Sequence, residues 1–227
     1  MRMNKEAYET LTEELKRSGA RLIAVSKTKP AEDILQLYNA GQRLFGENTV
    51  QELTVKQQQL PKDIKWHLIG HLQTNKVKYI APFVSMIHSV DSLKLLTEIN
   101  KQAQKQNRVI DCLLQIHIAC EESKYGLDPI VAEQLLNSEV YKALQHVRIC
   151  GLMGIATNTD NEAQIESEFA GLQHLFADLK EKHFGDKDYF KELSMGMSSD
   201  YRLALKHGAT MIRVGSMLFG DRNYNKV

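Results

Sequence analysis

Lys27 is the residue whose type and position most directly suggest chemistry. It ends the apolar run Leu22–Ser26, and Thr28-Lys29-Pro30 follows at once. A strand that ends in a lysine, with a proline-started helix behind it, places a primary amine at the carboxyl edge of a sheet, where α/β proteins bind ligands. Most lysines at such an edge are solvated rim residues. A desolvated lysine instead loses its proton readily and attacks aldehydes to form a Schiff base. The spacing alone leaves both interpretations open.

Arg213 is a second candidate, because it interrupts an apolar segment. The run Met211–Gly215 is predicted to be a strand, in which side chains alternate between the two faces. Ile212 and Val214 should therefore face a helix layer, while Arg213 points to the opposite, interior side. A buried guanidinium needs an acceptor, which a carboxylate from another strand or a ligand atom could supply.

Two turns combine glycine with serine. One contains Gly215-Ser216, and the other is the segment Ser194–Asp200, which reads SMGMSSD. Glycine permits close backbone approach, and hydroxyls together with the amides of a following helix suit an anion. Such turns also make ordinary strand–helix connections and N-caps. The two turns together favour a phosphate site if the fold brings them side by side.

Other polar residues are open to more than one interpretation. Asn48 ends a predicted strand, and His67 and His71 lie four residues apart. Four-residue spacing puts two histidines on one face only in a helix, whereas this segment is predicted to be a strand followed by a glycine turn, so a metal site is not favoured. Asn48 and His67 could equally be core residues with satisfied hydrogen bonds. The chain contains no GxSxG, Walker or GxGxxG motif, so serine-hydrolase and dinucleotide-binding functions have no support.

The elements that position these residues follow from the hydrophobic pattern. Short apolar runs alternate with helical periodicity, as in Ile165, Phe169, Leu172, Phe176 and Leu179. Eight strands are predicted, at Leu22–Lys27, Arg43–Asn48, Lys65–Gly70, Met86–Asp91, Val109–Ile118, Ile149–Thr157, Glu192–Met197 and Met211–Gly215. An extra helix, Lys5–Arg17, precedes the first strand. We therefore predict an α/β fold, a TIM (β/α)8 barrel with one extra N-terminal helix, as a single domain over residues 1–227. In such barrels the loops after strands seven and eight are the usual phosphate site.

Composition narrows the class of protein. The 227 residues carry 29 Lys and Arg against 28 Asp and Glu, a formal charge of +1, which argues against a nucleic-acid or membrane-surface partner. No apolar stretch approaches the ~20 residues that cross a bilayer, and the N-terminus, Met1–Glu6, has no signal-type apolar core. Three cysteines, at 112, 120 and 150, form no CxxC motif. We expect a cytoplasmic protein with reduced thiols.

Taken together, these segments resemble one family, the pyridoxal phosphate homeostasis proteins, which are single-domain relatives of the alanine racemase barrel. The resemblance spans nearly the whole chain with order and spacing intact. It rests on Ala24–Pro30, Phe45–Asn48 with Gln51-Glu52, Trp66–Gly70, Leu72–Lys76, His88–Ser92, Gly151–Met153, Leu193–Asp200, Met211–Ser216 and Phe219-Gly220. His71 departs from the pattern, because many members have proline there, and the departure is confined to the turn after the third predicted strand.

The resemblance implies that pyridoxal 5′-phosphate is held as an internal aldimine on Lys27. It also implies that Arg213 faces the pyridine nitrogen and that Asn48 lies near the ring. Ser194, Ser198, Gly215 and Ser216 are expected around the phosphate. The implied cofactor-binding set, with no catalytic residue and no metal ligand, is Lys27, Asn48, Ser194, Met197, Ser198, Arg213, Gly215 and Ser216.

Arg213 also bears on whether the cofactor would turn over a substrate. An aspartate at the pyridine nitrogen makes the ring a strong electron sink, whereas an arginine donates a hydrogen bond and leaves the nitrogen neutral. Racemisation further needs an acid/base on the ring face opposite Lys27. In two-domain racemases a tyrosine of the second domain supplies this group, and we predict a single domain here. We therefore expect a cofactor carrier that maintains vitamin B6 homeostasis, with recipient apo-enzymes as candidate partners. The resemblance implies that it is a monomer. A small amino-acid racemase that uses a tyrosine or His67 is the alternative, and a plain interaction protein with an empty barrel is more distant.

Overall fold

Eight parallel strands close into a barrel in the order of the sequence. The computed structural model describes residues 3–121, 125–185 and 187–220. The strands are β1 (Arg21–Val25), β2 (Leu44–Glu47), β3 (Lys65–Leu68), β4 (Met86–Val90), β5 (Ile110–Ile116), β6 (Val147–Gly154), β7 (Glu192–Ser194) and β8 (Met211–Val214). The barrel closes where β8 pairs with β1, in a register that sets Ile23 opposite Arg213. The predicted (β/α)8 barrel is confirmed.

Helices surround the barrel. They are α1 (Lys5–Ser18), α2 (Ala31–Asn39), α3 (Val50–Gln59), α4 (Val77–Ile80), α5 (Leu93–Lys105), α6 (Pro129–Asn137), α7 (Glu139–Lys142), α8 (Glu162–Leu179), α9 (Tyr201–Lys206) and α10 (Ser216–Phe219). A 3-10 turn, Thr74–Lys76, precedes α4, and a π-helical turn, Lys180–Phe184, extends α8. The predicted extra N-terminal helix is α1. It begins where the Asn4 side chain accepts a hydrogen bond from the Ala7 N–H, and it ends at Gly19, which has a φ of 74°.

The apolar core has two layers. The larger layer lies between strands and helices and includes Ile212 and Val214 of β8. A smaller cluster fills the inside of the barrel and consists of Ile23, Met86, Leu113, Cys150, Met153 and Met211. Arg213 points inward between these two strand neighbours, as strand alternation requires. Cys112 and Cys150 are buried packing residues, and burial raises the pKa of the Cys150 thiol to about 12.

The strands are shorter at their carboxyl ends than the apolar pattern predicts. Lys27 lies two residues beyond β1, Asn48 directly follows β2, Met197 follows β7, and Gly215 follows β8. Single backbone hydrogen bonds continue past some strand ends, such as Ser26 N–H to the Gly46 carbonyl oxygen, but the regular ladder stops earlier than the residue types predict. The candidate residues are therefore carried by turns at the barrel mouth. The predicted domain limits at residues 1 and 227 lie outside the described residues, and no helix in the part described is long and apolar enough to cross a bilayer.

Candidate functional site

A cleft of about 330 Å³ opens at the carboxyl end of the barrel. This volume lies at the lower end of the ~300–1,000 Å³ typical of small-molecule sites. Its lining consists of Val25, Lys27, Lys29, Asn48, Ile69, Ile155, Met197, Ser198, Ser199, Arg213, Gly215, Ser216 and Gly220. Seven of the eight residues predicted from the sequence are brought together here. The eighth, Ser194, is fully buried on β7 and contacts Arg213 instead of lining the cleft.

Hydrogen bonds hold the turn that carries Lys27 on both sides. Before the lysine, the Ser26 hydroxyl donates to Glu47 Oε1 at 2.5 Å. After it, the Thr28 N–H donates to Glu52 Oε2 at 2.8 Å. Thr28 has a φ of 63°, an unusual value for a residue with a side chain. Neighbouring elements therefore fix the backbone of this turn.

Lys56 of α3 links these anchors into one buried ion cluster. Its Nζ lies 2.8 Å from Glu47 Oε1, 2.7 Å from Glu52 Oε2 and 2.8 Å from the Ser26 carbonyl oxygen. Burial raises the pKa of Glu47, and the Lys56 charge opposes that shift. Glu47 Oε2 is buried and has no hydrogen-bond partner among the described residues. Sequence reasoning assigned these residues no role. The four-residue spacing of Glu52 and Lys56 could have suggested their pairing, but nothing local links either to Glu47.

Lys29, the other lysine that lines the cleft, forms hydrogen bonds with the backbone at the end of α10. Its Nζ donates to the carbonyl oxygens of Phe219 and Gly220 at 2.9 and 3.1 Å. The ammonium thereby ties the turn after β1 to the end of α10. These contacts favour a structural role for Lys29.

Arg213 crosses from the barrel interior to the floor of the cleft. It is 5% exposed. Its Nη1 donates to Ser194 Oγ at 2.7 Å and its Nη2 to the Gly154 carbonyl oxygen at 2.9 Å. Neither acceptor is a carboxylate. Burial lowers the pKa of Arg213 to about 10, and the Asp200 carboxylate opposes that shift, so the guanidinium stays charged at neutral pH.

Two histidines continue this contact deeper into the barrel. His88 Nδ1 lies 3.0 Å from Ser194 Oγ, and His88 Nε2 lies 2.8 Å from His67 Nδ1. Burial lowers the pKa of His67 to about 3, and it lowers that of His88 well below the ordinary value, so both rings are neutral. His67 therefore lies in the hydrogen-bonded core, one of the two interpretations that the sequence left open, and does not line the cleft.

The two glycine–serine turns follow the paired strands β7 and β8, and both line the cleft. Gly196 has a φ of 91°, and a Cβ there would lie 2.6 Å from Ala204 Cβ, so only glycine fits. Backbone N–H groups of both turns, at Ser198, Ser199, Ser216 and Met217, have no acceptor among the described residues. These donors, with the serine hydroxyls, are the groups that an oxyanion requires.

His71 is not among the residues that line the cleft. Its ring stacks on Tyr125 at a centroid distance of 4.1 Å, and its Nδ1 lies 3.2 Å from Asp91 Oδ2. Within the described ranges, no group of three or more histidine, cysteine or carboxylate side chains could hold a metal ion.

Comparison with known proteins places the chain in a family. Residues 5–223 match the model described as alanine racemase, N-terminal domain. A protein of Aquifex aeolicus named pyridoxal phosphate homeostasis protein is 40% identical over 206 residues, 90% of this chain and 88% of the relative. A Pasteurella multocida protein of the same name is 40% identical over 214 residues, 92% and 89% of the two chains. The chain belongs to the pyridoxal phosphate homeostasis protein family.

Solved structures agree with this membership. The structure of PipY from Synechococcus elongatus PCC7942 with PLP bound has a TM-score of 0.82 and 40% identity, and covers 95% of this chain and 99% of its own. PipY without PLP has a TM-score of 0.88. Alanine racemase of Bartonella henselae, at 15% identity and a TM-score of 0.71, shares the fold over 62% of its length. This family member therefore has the barrel of the larger racemases.

Proposed function

We propose that this chain binds pyridoxal 5′-phosphate in the cleft and holds it as a Schiff base, an aldimine, on Lys27. We further propose that it maintains vitamin B6 homeostasis without catalytic turnover, as a cytoplasmic monomer that supplies apo-enzymes. The observation that carries the proposal is the convergence on one cleft of an amine, an inward guanidinium and two donor-rich turns. The PLP-bound structure of PipY supports the same cofactor.

The chemistry of the lining fits the cofactor part by part. Hydroxyls and amides of the two glycine–serine turns suit the phosphate. Val25, Ile69 and Ile155 give the cleft an apolar wall for a ring. Arg213 has only donors and stays charged, so it can donate to a ring nitrogen but cannot accept a proton from it. Pyridoxal phosphate supplies an aldehyde for amines and an electron sink, and a ring nitrogen left unprotonated weakens that sink.

Lys27 is the amine that we assign to the linkage. Its neutral Nζ would attack the aldehyde carbon, forming a carbon–nitrogen double bond and releasing one water molecule. The turn around it is fixed by Glu47 and Glu52, which lowers the cost of presenting the amine in one place. Lys29 donates to the carbonyl oxygens of Phe219 and Gly220, and those contacts direct its Nζ toward the end of α10.

The lining also favours a carrier over the alternative racemase. No tyrosine, histidine, cysteine or carboxylate is among the described residues that line the cleft. A racemase needs an acid/base opposite Lys27. His67, a residue that could have supplied it, is buried and hydrogen-bonded to His88.

The proposal is tested on purified protein with added pyridoxal 5′-phosphate. We expect the visible absorbance band of a pyridoxal Schiff base. Borohydride reduction should fix the cofactor mass on Lys27, as located by peptide fragmentation. Lys27→Ala should abolish both signals, whereas Lys78→Ala, a change at an exposed lysine of α4, should keep them. An adduct confined to Lys29 would refute the assignment, and turnover of D- or L-alanine in a chiral assay would favour the racemase.

A further inference from the structure

A continuous hydrogen-bonded chain runs from the cleft through the inside of the barrel. Arg213 of β8 contacts Ser194 of β7 at 2.7 Å, Ser194 contacts His88 of β4 at 3.0 Å, and His88 contacts His67 of β3 at 2.8 Å. The four side chains belong to residues that are at most 5% exposed. Four strands thus contribute one buried polar residue each to this series of hydrogen bonds.

The direction of these hydrogen bonds is fixed at the arginine end. A guanidinium has donors and no acceptor, so Ser194 Oγ must accept from Arg213. The Ser194 hydroxyl hydrogen then goes to His88 Nδ1, its other neighbour. A neutral imidazole has one donor and one acceptor nitrogen, so His88 carries its hydrogen on Nε2 and donates it to His67 Nδ1. His67 in turn carries its hydrogen on Nε2.

The reverse direction is less favourable. If His88 Nδ1 carried the hydrogen, both His88 and Arg213 would donate to Ser194 Oγ. The Ser194 hydroxyl hydrogen would then have no acceptor among the described residues, and a buried unsatisfied donor is destabilising. A charged His88 would place a second cation beside the Arg213 guanidinium in the barrel interior, which burial opposes.

We propose that His88, oriented by His67, is a positioning residue for Arg213. By accepting the Ser194 hydrogen, it fixes the rotation of the hydroxyl so that the lone pairs of Ser194 Oγ face Nη1, and so holds the guanidinium with its other donors toward the cleft. The Gly154 carbonyl holds Nη2, and the two anchors together set the plane of the group. The role rests on the proposed function, because the ligand atom that this arrangement recognises is an aromatic ring nitrogen with a free lone pair.

The direction of the hydrogen bonds from Arg213 to His67 can be measured without any cofactor. In the 15N-labelled full chain, two-bond 1H–15N correlations report which ring nitrogen of each histidine carries hydrogen. We expect both His67 and His88 to be neutral at neutral pH, with hydrogen on Nε2 and none on Nδ1. Hydrogen on His88 Nδ1, or an imidazolium at either position, would overturn the proposal.

The positioning role is measured with two substitutions of matched polarity. His88→Asn places an amide oxygen near the position of Nδ1 and keeps an acceptor for Ser194. His88→Gln reaches the position of Nε2 and loses that acceptor. Loss of one hydrogen-bonded anchor of a charged group corresponds to about tenfold or more in affinity. We therefore expect His88→Gln to weaken pyridoxal 5′-phosphate binding about tenfold and to shift the absorbance band, while His88→Asn stays close to wild type.

A ring analogue separates positioning from packing. The 1-deaza analogue of pyridoxal 5′-phosphate keeps the aldehyde and phosphate but lacks the ring nitrogen, so His88→Gln should bind it as wild type does. Equal losses in His88→Asn and His88→Gln, or equal losses of both ligands, would mean that His88 only packs the core. Melting curves and near-UV circular dichroism verify that both variants fold. If wild type binds neither ligand, the proposed function fails, while the NMR result still decides the direction of the chain.

Discussion

Lys27 and Lys29 are two positions apart and both line the cleft, yet their surroundings differ. Lys29 donates to two backbone carbonyls, and those bonds connect distant parts of the chain. Lys27 lies between Ser26, which is bonded to the buried Glu47, and Thr28, which is bonded to the partly exposed Glu52. Residue type alone cannot distinguish the two lysines. The hydrogen bonds of Lys29 itself, and those of the residues on either side of Lys27, do distinguish them.

The serines of the two turns can be tested individually. If Ser198 and Ser216 share the phosphate with backbone amides, removing one hydroxyl deletes one hydrogen bond to a charged group. Such a bond contributes about 1.5–3 kcal/mol, or roughly one to two decades in affinity. We expect Ser198→Ala or Ser216→Ala to weaken pyridoxal 5′-phosphate binding by that factor in an absorbance titration, with the Schiff-base band recovered at high cofactor.

Two controls accompany these serine variants. Unphosphorylated pyridoxal should bind wild type and both variants equally poorly, because it lacks the phosphate. Ser167→Ala, on the exposed face of α8, should leave binding unchanged. A parallel loss of pyridoxal and its phosphate would show that the serines support the fold, and the phosphate site would then lie elsewhere on the barrel rim.

The sequence predicts the placement of those residues whose location follows from the strand pattern. Alternation along β8 was enough to direct Arg213 inward, and the order of the turns was enough to bring Ser198 and Ser216 to the same cleft. It did not find His88 as a partner of Ser194, because the two are 106 residues apart and meet only across the closed barrel. For the same reason it could not anticipate that Ser194 would lie beneath the cleft.

At the scale of elements, the carboxyl ends of the strands decide where the chemistry lies. The eight strands and the long amphipathic helix α8 were predicted at the right places. The exact ends of the strands were not, because valine, serine and glycine each end a strand in this barrel, and serine and glycine also begin the turns that follow. The short helices α4 and α7 depend on packing against the barrel, so their own residues give little signal.

The buried cluster of β2 and α3 gives a prediction at this scale. Lys56 is 6% exposed and Glu47 is fully buried, so removing Lys56 leaves an uncompensated acidic group in the core. Breaking a buried pair in this way costs about 3–5 kcal/mol. We expect Lys56→Met to lower the free energy of unfolding by that amount in urea denaturation, and the double variant Glu47→Gln with Lys56→Met to recover part of the loss.

An exposed ion pair is the control for Lys56. Lys142 lies 2.8 Å from Glu139 on α7, and both side chains are largely exposed. Lys142→Met should change stability by less than about 1 kcal/mol. Equal effects of the two methionine substitutions, or no recovery in the double variant, would contradict the view that the buried cluster supports the turn of Lys27.

At the scale of the whole molecule, the inside of the barrel contains both an apolar cluster and the hydrogen-bonded series of polar side chains from Arg213 to His67. Ile23, Met86 and Leu113 form an apolar cluster, and His67 and His88 are buried on strands of the same closed sheet. A polar chain in this position is stable only while every member is hydrogen-bonded. Protonation of the imidazoles would break that condition, which makes the stability of the entire fold depend on pH.

The pH dependence follows from the direction of the histidine shifts. Burial lowers the pKa of His67 from 6.5 to about 3 and that of His88 well below 6.5, so below ~6.5 the unfolded chain binds more protons than the folded one. The contribution of the neutral histidines to the free energy of unfolding is therefore fully present above pH ~6.5. It decreases as the pH falls, by up to about 1.4 kcal/mol per pH unit for each histidine. Urea denaturation between pH ~6.5 and ~5 measures this loss, in a window where most carboxylates stay ionised. The raised pKa of Glu47 changes stability with pH in the opposite direction. Because Glu47 is present in both wild type and His88→Asn, the difference between their pH dependences reports His88 alone.

We expect His88→Asn to lose about half of the pH-dependent stability that the two histidines contribute, and His174→Gln, at an exposed position of α8, to lose none of it. Identical pH dependence in wild type and His88→Asn would mean that His88 is not held neutral inside the barrel.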